Sequence, residues 1–275
     1  LPEHEILEML SRMELIGSWN TAPADAHRLS SRIQAAKHAA VDKFNGWVVK
    51  NSPSRVPEQL TRRAEHRHRI RQVLEFTQDV QGEVLDMGCF VGIVGERIIA
   101  QGNKAVTGAD ALDKALDLAA RRGLKTLLAD FDAGLPSLSD EQFDCVVAAD
   151  LMQAVYDPEF VLSEAHRDLK SRGRLVVSVP NITCLNNGLR MLRGVSPQRV
   201  NLRGIKEDGH ISSFSFDSLR TMLCNVGFVV EKMVSDVVIL TADASRFARM
   251  LSARLPARVF PRLGRNIIVL AAKPK

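Results

Sequence analysis

The chain is poor in aromatic residues: Phe, Trp and Tyr make up 5% of its 275 residues, with one tyrosine and two tryptophans. A protein that grips single-stranded nucleic acid by stacking needs an aromatic platform, and none stands out. Cysteine is scarce as well. Cys89, Cys145, Cys184 and Cys224 are far apart and form no C-x-x-C pair. This excludes a disulfide framework and a sulfur-rich zinc site, and reads as reduced thiols in a cytoplasmic chain with no metal centre. No apolar run approaches the roughly 18 residues needed to cross a bilayer. Internal repeats and low-complexity tracts are also missing. What remains, 45% hydrophobic and 25% charged residues, is ordinary for a globular protein of one large domain or one domain with an appendage.

The net charge of +5 hides an asymmetry. Residues 1–80 carry 12 Lys+Arg against 10 Asp+Glu, residues 81–180 carry 10 against 16, and residues 181–275 carry 15 against 6. The middle is acidic and the last third strongly basic. A basic segment attracts phosphates, carboxylates or anionic lipid, or forms a solvated surface.

From Gly82 onward, short apolar runs alternate with amphipathic stretches. Strands are predicted at 83–87, 105–109, 125–129, 143–149, 174–179, 228–234 and 266–272, and helices at 92–101, 112–122, 158–170 and 216–226. This alternation predicts an α/β fold: a mostly parallel sheet covered on both faces. Asp157-Pro158 supplies a helix cap and a first-turn proline, and Gly173 and Gly227 close helices. Residues 1–80 read instead as an N-terminal helical cap with stretches at about 3–15, 23–45 and 57–76. Two segments interrupt the sheet pattern, at 181–212 and 243–265. Long excursions at strand ends of such sheets are often functional lids.

The stretch Asp86-Met-Gly88-Cys89-Phe90-Val-Gly92 follows a strand and opens a helix. Gly88 lets the chain turn with its backbone exposed, and Gly92 lets the next helix approach. Asp110 ends the second strand, where a carboxylate can accept hydrogen bonds from both hydroxyls of a ribose. Asp130-Phe131-Asp132 ends the third, where a carboxylate can receive an adenine amino group. A dehydrogenase shares the glycine turn and the ribose acid. Here, however, no glycine stands at 90 or 93, so G-x-G-x-x-G fails.

With these motifs in their order, followed by "FDCVVAADLMQAVYDPEFVLSEAHRDLKSRGRLVVSVPN" and "HISSFSFDSLRTMLCNVGF", the chain over about 82–275 resembles class I S-adenosylmethionine-dependent methyltransferases. The resemblance is to the broad branch that includes ubiquinone-biosynthesis-like, methionine-biosynthesis-like and glycan-cluster enzymes. It implies a Rossmann-like seven-stranded sheet in the order 3-2-1-4-5-7-6 with the seventh strand antiparallel. It also implies S-adenosylmethionine as cofactor. Asp86, Gly88 and Gly92 would shape the methionine pocket, with Cys89 and Phe90 in the turn between them. Asp110 would hold the ribose, with Ala111 and Leu112 beside the adenine, and Asp130 and Phe131 would face the adenine edge. Ala149 would offer its carbonyl to the cofactor's amino group, with Asp150 and Leu151 nearby.

Two positions depart from the family. Phe90 stands where related turns often carry glycine; it could flank the sulfonium with its ring face or fill the pocket. Met152-Gln153-Ala154 stands where relatives often read Leu-Glu-His, so a base must come from elsewhere or is not needed. His210, in "EDGHISSFS", is the candidate base, since a hydroxyl nucleophile gains from a proton acceptor near neutrality. The excursion before it carries Arg190, Arg203 and Lys206, suited to a phosphate or carboxylate on the substrate. On the helix at 57–76, Arg63, His66 and Arg67 fall on the apolar side and need partners, either the cofactor's carboxylate or acids of the middle segment. The segment at 243–265 interleaves six arginines with Phe247, Met250, Leu251, Leu255 and Phe260. That pattern suits peripheral contact with anionic lipid, a cap over the sheet edge, or a surface for a partner or second copy. The expected reaction is methyl transfer to oxygen of a small molecule or glycan, anionic or lipid-linked. The alternatives are nucleic-acid methylation, which lacks the usual Asn/Asp-Pro-Pro-aromatic stretch, and a non-catalytic scaffold.

Overall fold

The computed structural model describes residues 64–102, 104–198, 210–238 and 260–275, together with Asp42, Asn45 and Gly46. The helices expected at about 3–15 and 23–45, and most of the basic segment at 243–265, lie outside the described residues.

Strand and helix alternate as the apolar periodicity requires. Helix α1 (Ala64–Thr77) precedes β1 (Gly82–Met87), α2 (Ile93–Ile99), β2 (Lys104–Asp110), α3 (Asp113–Ala120) and β3 (Lys125–Leu128). Strand β4 (Phe143–Ala149), α4 (Pro158–Asp168), β5 (Leu169–Pro180), α5 (Leu185–Leu192), α6 (Phe216–Asn225), β6 (Val229–Ser235) and β7 (Asn266–Ala272) follow. The seven strands form one sheet in the order β3-β2-β1-β4-β5-β7-β6. Strands β1 to β5 pair in parallel, and β7 runs antiparallel to both β5 and β6. This is the Rossmann-like order the resemblance implies.

The central strands are buried on both faces, the edge strands β3 and β6 are largely exposed, and the alternation of side chains divides the core in two. On one face Leu85, Val146, Ala148, Val177 and Val269 meet Val161, Leu162 and Ala165 of α4 and Leu219 and Leu223 of α6. On the other, Val84, Val106, Cys145, Val147, Val176 and Ile268 meet Val73 and Phe76 of α1, Ile98 of α2, and Leu116 and Ala119 of α3. Helix α1 is thus part of the layer that covers the sheet.

Two local results differ from the expected boundaries. Helix α4 stops at Asp168, and β5 begins at Leu169 rather than 174. Leu169 pairs with Phe143, the register then slips, and pairing resumes at Arg174 opposite Cys145. Arg172 takes a left-handed φ of 63° in this irregular stretch, which absorbs the slipped residues as a bulge. The excursion after β5 also holds a helix, α5, that the sequence pattern did not announce.

The β1–α2 turn packs on the second of these cores. Gly92 has φ +79°, and a Cβ there would lie 2.9 Å from both Cα and Cβ of Ala119. Gly102 has φ +86° with nothing within 4 Å of a built Cβ. Comparing the two separates backbone strain from crowding. Gly102→Ala should lose about 1 kcal/mol in urea unfolding, and Gly92→Ala about 2–4 kcal/mol, since helix-to-helix approach is blocked as well.

Candidate functional site

The C-terminal ends of β1, β2 and β4 and the turns that follow them make the site, as the switch point of an open parallel sheet predicts. At the end of β1 the chain turns sharply. Gly88 has φ +72°, Phe90 +49° and Gly92 +79°. The N–H groups of Gly88 and Cys89 both donate to the carbonyl of Ala109, at 2.8 and 3.1 Å. The N–H of Phe90 donates to Oδ2 of Asp110 at 2.7 Å, and that of Leu112 donates to Oδ1 at 3.0 Å. One carboxylate therefore ties the β1 turn to the β2 turn. Burial pushes its pKa up, opposed by the N–H groups of Phe90, Leu112 and Ala111.

A left-handed phenylalanine costs roughly 1–3 kcal/mol in backbone strain, and the charged hydrogen bond from Asp110 offsets it. The ring of Phe90 is half-buried. It packs with Leu74, Val94 and Leu112 against Ile70, Val91, Ile93, Ala115 and Leu118. Its apolar surface is thus accounted for by α1, α2 and α3.

Asp86 is 1% exposed and its Oδ2 has no partner among the described residues. Burial is the main cause that pushes its carboxyl up to about 7; the N–H of Gly95 works against this and the nearby Asp110 adds to it. After β4, Asp150 takes a left-handed φ of 61°, donates its N–H to the carbonyl of Ser178 at 2.9 Å, and pairs through Oδ2 with Arg69 of α1. Its Oδ1 is a second buried acceptor without a donor among the described residues. Leu151 packs over Gly88, and a Cβ on that glycine would meet it at 3.2 Å. Ala149 is half-buried at the last β4 position, opposite Ser178 of β5.

At the third strand, Asp130 is exposed and accepts the N–H of Asp132, capping the turn Phe131–Ala133. Phe131 is 6% exposed and belongs to the core, so its ring is spent on packing. Asp132 accepts the N–H groups of Tyr156 and Asp157 and ties this edge to the loop after β4.

The loop after β4 reaches the second half of the site. Gln153, 3% exposed, donates Nε2 to the carbonyl of Asp150 at 2.8 Å. Its own carbonyl accepts the N–H groups of Ile211 and Ser212 at 2.7 and 3.1 Å. This fixes the segment that carries His210. His210 is half-buried and lines an open pocket together with Asn186, Gln198, Ser212, Ser213 and Arg265. Arg190 does not line it; its Nε donates to the carbonyl of Ser196 and braces the turn after α5. Arg203 and Lys206 lie outside the described residues, as do Arg63 and the side chains of His66 and Arg67.

The site thus has two unsatisfied buried acceptors, at Asp86 and Asp150, a paired cation at Arg69, a carboxylate at a strand tip, and a glycine turn. S-adenosylmethionine carries an ammonium, a carboxylate, a ribose diol and an adenine amino group, and the residues present fit each of them. Sequence reading missed Arg69 and Gln153. Helical angles pointed to Arg63, His66 and Arg67 as the inward cations of the first helix. A buried glutamine whose value lies in its backbone carbonyl leaves no pattern.

Residues 59–233 match a family model described as "Methyltransferase domain". Among curated proteins none matches the chain. Many solved structures resemble it in fold. One is a chain of the complex between the Haloferax volcanii Trm112 methyltransferase activator and a methyltransferase, 15% identical, with TM-score 0.59, covering 84% of this chain and 98% of that one. The N-methyltransferase NodS of Bradyrhizobium japonicum WM9, in complex with S-adenosyl-L-homocysteine, is 14% identical with TM-score 0.55, covering 86% and 99%. The [4+2]-cyclase SpnF is 18% identical with TM-score 0.52, covering 74% and 79%. At these identities the likeness is one of fold.

Two measurements probe the site. Asp110→Asn keeps the shape of the side chain but removes its charge. Calorimetry with S-adenosylhomocysteine should show binding weakened about 10–100-fold, and an unchanged affinity would reject Asp110 as the ribose acceptor. Asp86 generates a pH effect. Its pKa is raised from 3.8 to about 7 in the folded chain, so the folded state holds the proton more tightly than the unfolded one. Its contribution is fully present below pH 4 and is lost as pH rises towards 7. The Asp86→Asn variant should therefore gain stability relative to the parent across that window, on the order of 2 kcal/mol or more in urea unfolding.

Proposed function

We propose that this chain, which belongs to the family of class I S-adenosylmethionine-dependent methyltransferases, carries the methyl group to an oxygen of a small molecule or glycan that is anionic or lipid-linked. The work is proposed to take place in the cytoplasm. The observation that carries this reading is the lining of the cavity beside the β4 loop. Asn186, Gln198, Ser212, Ser213, His210 and Arg265 are among the residues that line it. None of its lining residues is Asp or Glu. An amine acceptor arrives as an ammonium and would need a carboxylate to hold it. A polyol uses amides and hydroxyls, and an anionic group uses the arginine.

The bound cofactor supplies a methyl group activated on a sulfonium. The chain's own residues do the positioning. Asp110 sets both turns and accepts from the ribose, and Asp86 and Asp150 receive donors from the amino-acid end. The carbonyl of Gln153 holds Ile211 and Ser212, and so fixes the segment that presents His210. The imidazole accepts the proton that the acceptor hydroxyl loses on alkylation. Arg190, Arg203 and Lys206, on the insertion that forms one wall, are proposed to favour an anionic acceptor.

The test uses cofactor labelled in its methyl group and a cell extract fractionated into lipid, glycan, small-molecule and nucleic-acid pools. Label should enter the glycan, small-molecule or lipid pool. Label confined to nucleic acid, or no transfer at all, overturns the reading. With the acceptor in hand, His210→Gln should lower kcat about 100-fold or more while binding of S-adenosylhomocysteine stays unchanged.

A further inference from the structure

Helix α5 (Leu185–Leu192) turns its amides inward and leaves the apolar residues at its end exposed. At about 100° per residue, Leu185, Leu189 and Leu192 fall on one stripe, and Asn186, Asn187 and Arg190 fall on the opposite side. The amides face inward: Asn186 is 7% exposed and Asn187 3%. Asn187 donates Nδ2 to the carbonyl of Ile182 and accepts the N–H of Gln198, and Asn186 donates to Oε1 of Gln198. Leu185 and Leu189 are half-buried, and the apolar residues at the helix end face out: Leu192 is 85% exposed, Met191 50%, and Val195 on the following turn 42%. That turn doubles back through hydrogen bonds from Gly194 to Met191 and from Val195 to Arg190, which keeps these three side chains on adjacent ground. A cluster of exposed Leu, Met and Val at the end of one short helix calls for a partner.

The charge around it says which. The first insertion, 181–212, carries Arg190, Arg193, Arg199, Arg203 and Lys206 against Glu207 and Asp208. The second, 243–265, carries six arginines against Asp243. The two are tied at one corner: Nδ2 of Asn181 donates to the carbonyls of Arg262 and Gly264, at 2.9 and 2.8 Å, and the Asn181 N–H donates to that of Arg265. Phe260, 53% exposed, stands at the same corner. Arg262 is taken up by Asp217, while Arg193 is exposed beside the apolar cluster. Exposed apolar side chains beside an exposed arginine, on a segment whose sequence has an excess of positive charge, match an anionic bilayer interface. Nucleic acid would leave Leu192 and Met191 unused, and a second copy would bring like charge against like.

We infer that α5 and its turn to Val195 are a docking foot that inserts Met191, Leu192 and Val195 into the interface of an anionic membrane, with Asn186 on the other side of the same helix lining the acceptor cavity. This deepens the lipid-linked part of the acceptor reading and rests on it for its purpose, but its test needs no turnover.

The full chain is mixed at low salt with phosphatidylcholine vesicles that contain or lack phosphatidylglycerol, and floated on a density gradient. The parent should float with the anionic vesicles, float about 10-fold less with the neutral ones, and be released by high salt. The double variant Met191→Asp, Leu192→Asp should lose about 10-fold or more of the partition. Its affinity for S-adenosylhomocysteine and its sedimentation mass should match the parent's. A parent that stays unbound overturns the inference. So does a variant that floats as well as the parent, a mass that falls in the variant without any vesicle binding, or a parent that shifts RNA or DNA in a gel and ignores vesicles. A negative result here leaves the labelling experiment intact, and a failed labelling experiment leaves the foot standing.

Discussion

The site is organised by one buried carboxylate. Asp110 sits at the tip of β2 and accepts the N–H of Phe90 from the neighbouring turn and that of Leu112 from its own. Without it, a non-glycine residue at φ +49° would have little reason to stay there. With it, the β1 turn is pinned to the β2 turn, Gly88 is left facing Leu151, and the ring of Phe90 joins the apolar cluster between α1 and α3. A carboxylate that bonds two backbone donors keeps lone pairs on both oxygens, which is what the proposed contact with a diol requires. The unusual residue at 90 is thus compatible with a working turn because the acid beside it supplies the missing tolerance.

A second brace joins this half of the site to the other. Gln153 bonds to the carbonyl of Asp150 through its side chain, and Ile211 and Ser212 bond to its own carbonyl. Asp150 in turn takes Arg69 from α1. The chain segments that arrive from before β1, after β4 and after the first insertion therefore meet within a few hydrogen bonds. Where relatives of the resembled branch often place a glutamate and a histidine, this chain places a glutamine and an alanine. The glutamine keeps the bracing without adding a charge to a region that already holds two buried carboxylates.

Much of the fold was legible because strands buried on both faces read as short apolar runs, and because Asp157-Pro158 and Ser215 mark helix starts plainly. The acids at 86, 110, 130 and 150 were legible for a related reason: each stands at or beside the end of a strand, where an apolar run gives way to a turn. What could not be read has a common physical cause. The slipped start of β5 at Leu169 depends on pairing with Phe143, far away in sequence. The roles of Arg69 and Gln153 depend on partners 81 and 58 residues away. Local periodicity carries no information on such pairings. Phe131 illustrates the converse error: an aromatic beside a strand-tip acid suggests a ring face for a ligand, yet the core takes the ring.

Helix α5 takes this further. The ordinary rule would bury its leucine stripe, yet Leu185 and Leu189 are only half-buried and Leu192 is exposed, while Asn186 and Asn187 are buried. The orientation is set instead by hydrogen bonds. Asn187 must reach both the carbonyl of Ile182 and the N–H of Gln198, and Asn186 must reach the side chain of Gln198. Those bonds build a polar cavity wall, which an inward leucine stripe would have replaced with an apolar one. A buried amide with its partners in place loses little on leaving water, whereas a leucine left in water gives up its burial energy. The exposure of Met191 and Leu192 at the helix end is therefore the cost of the polar wall beside them.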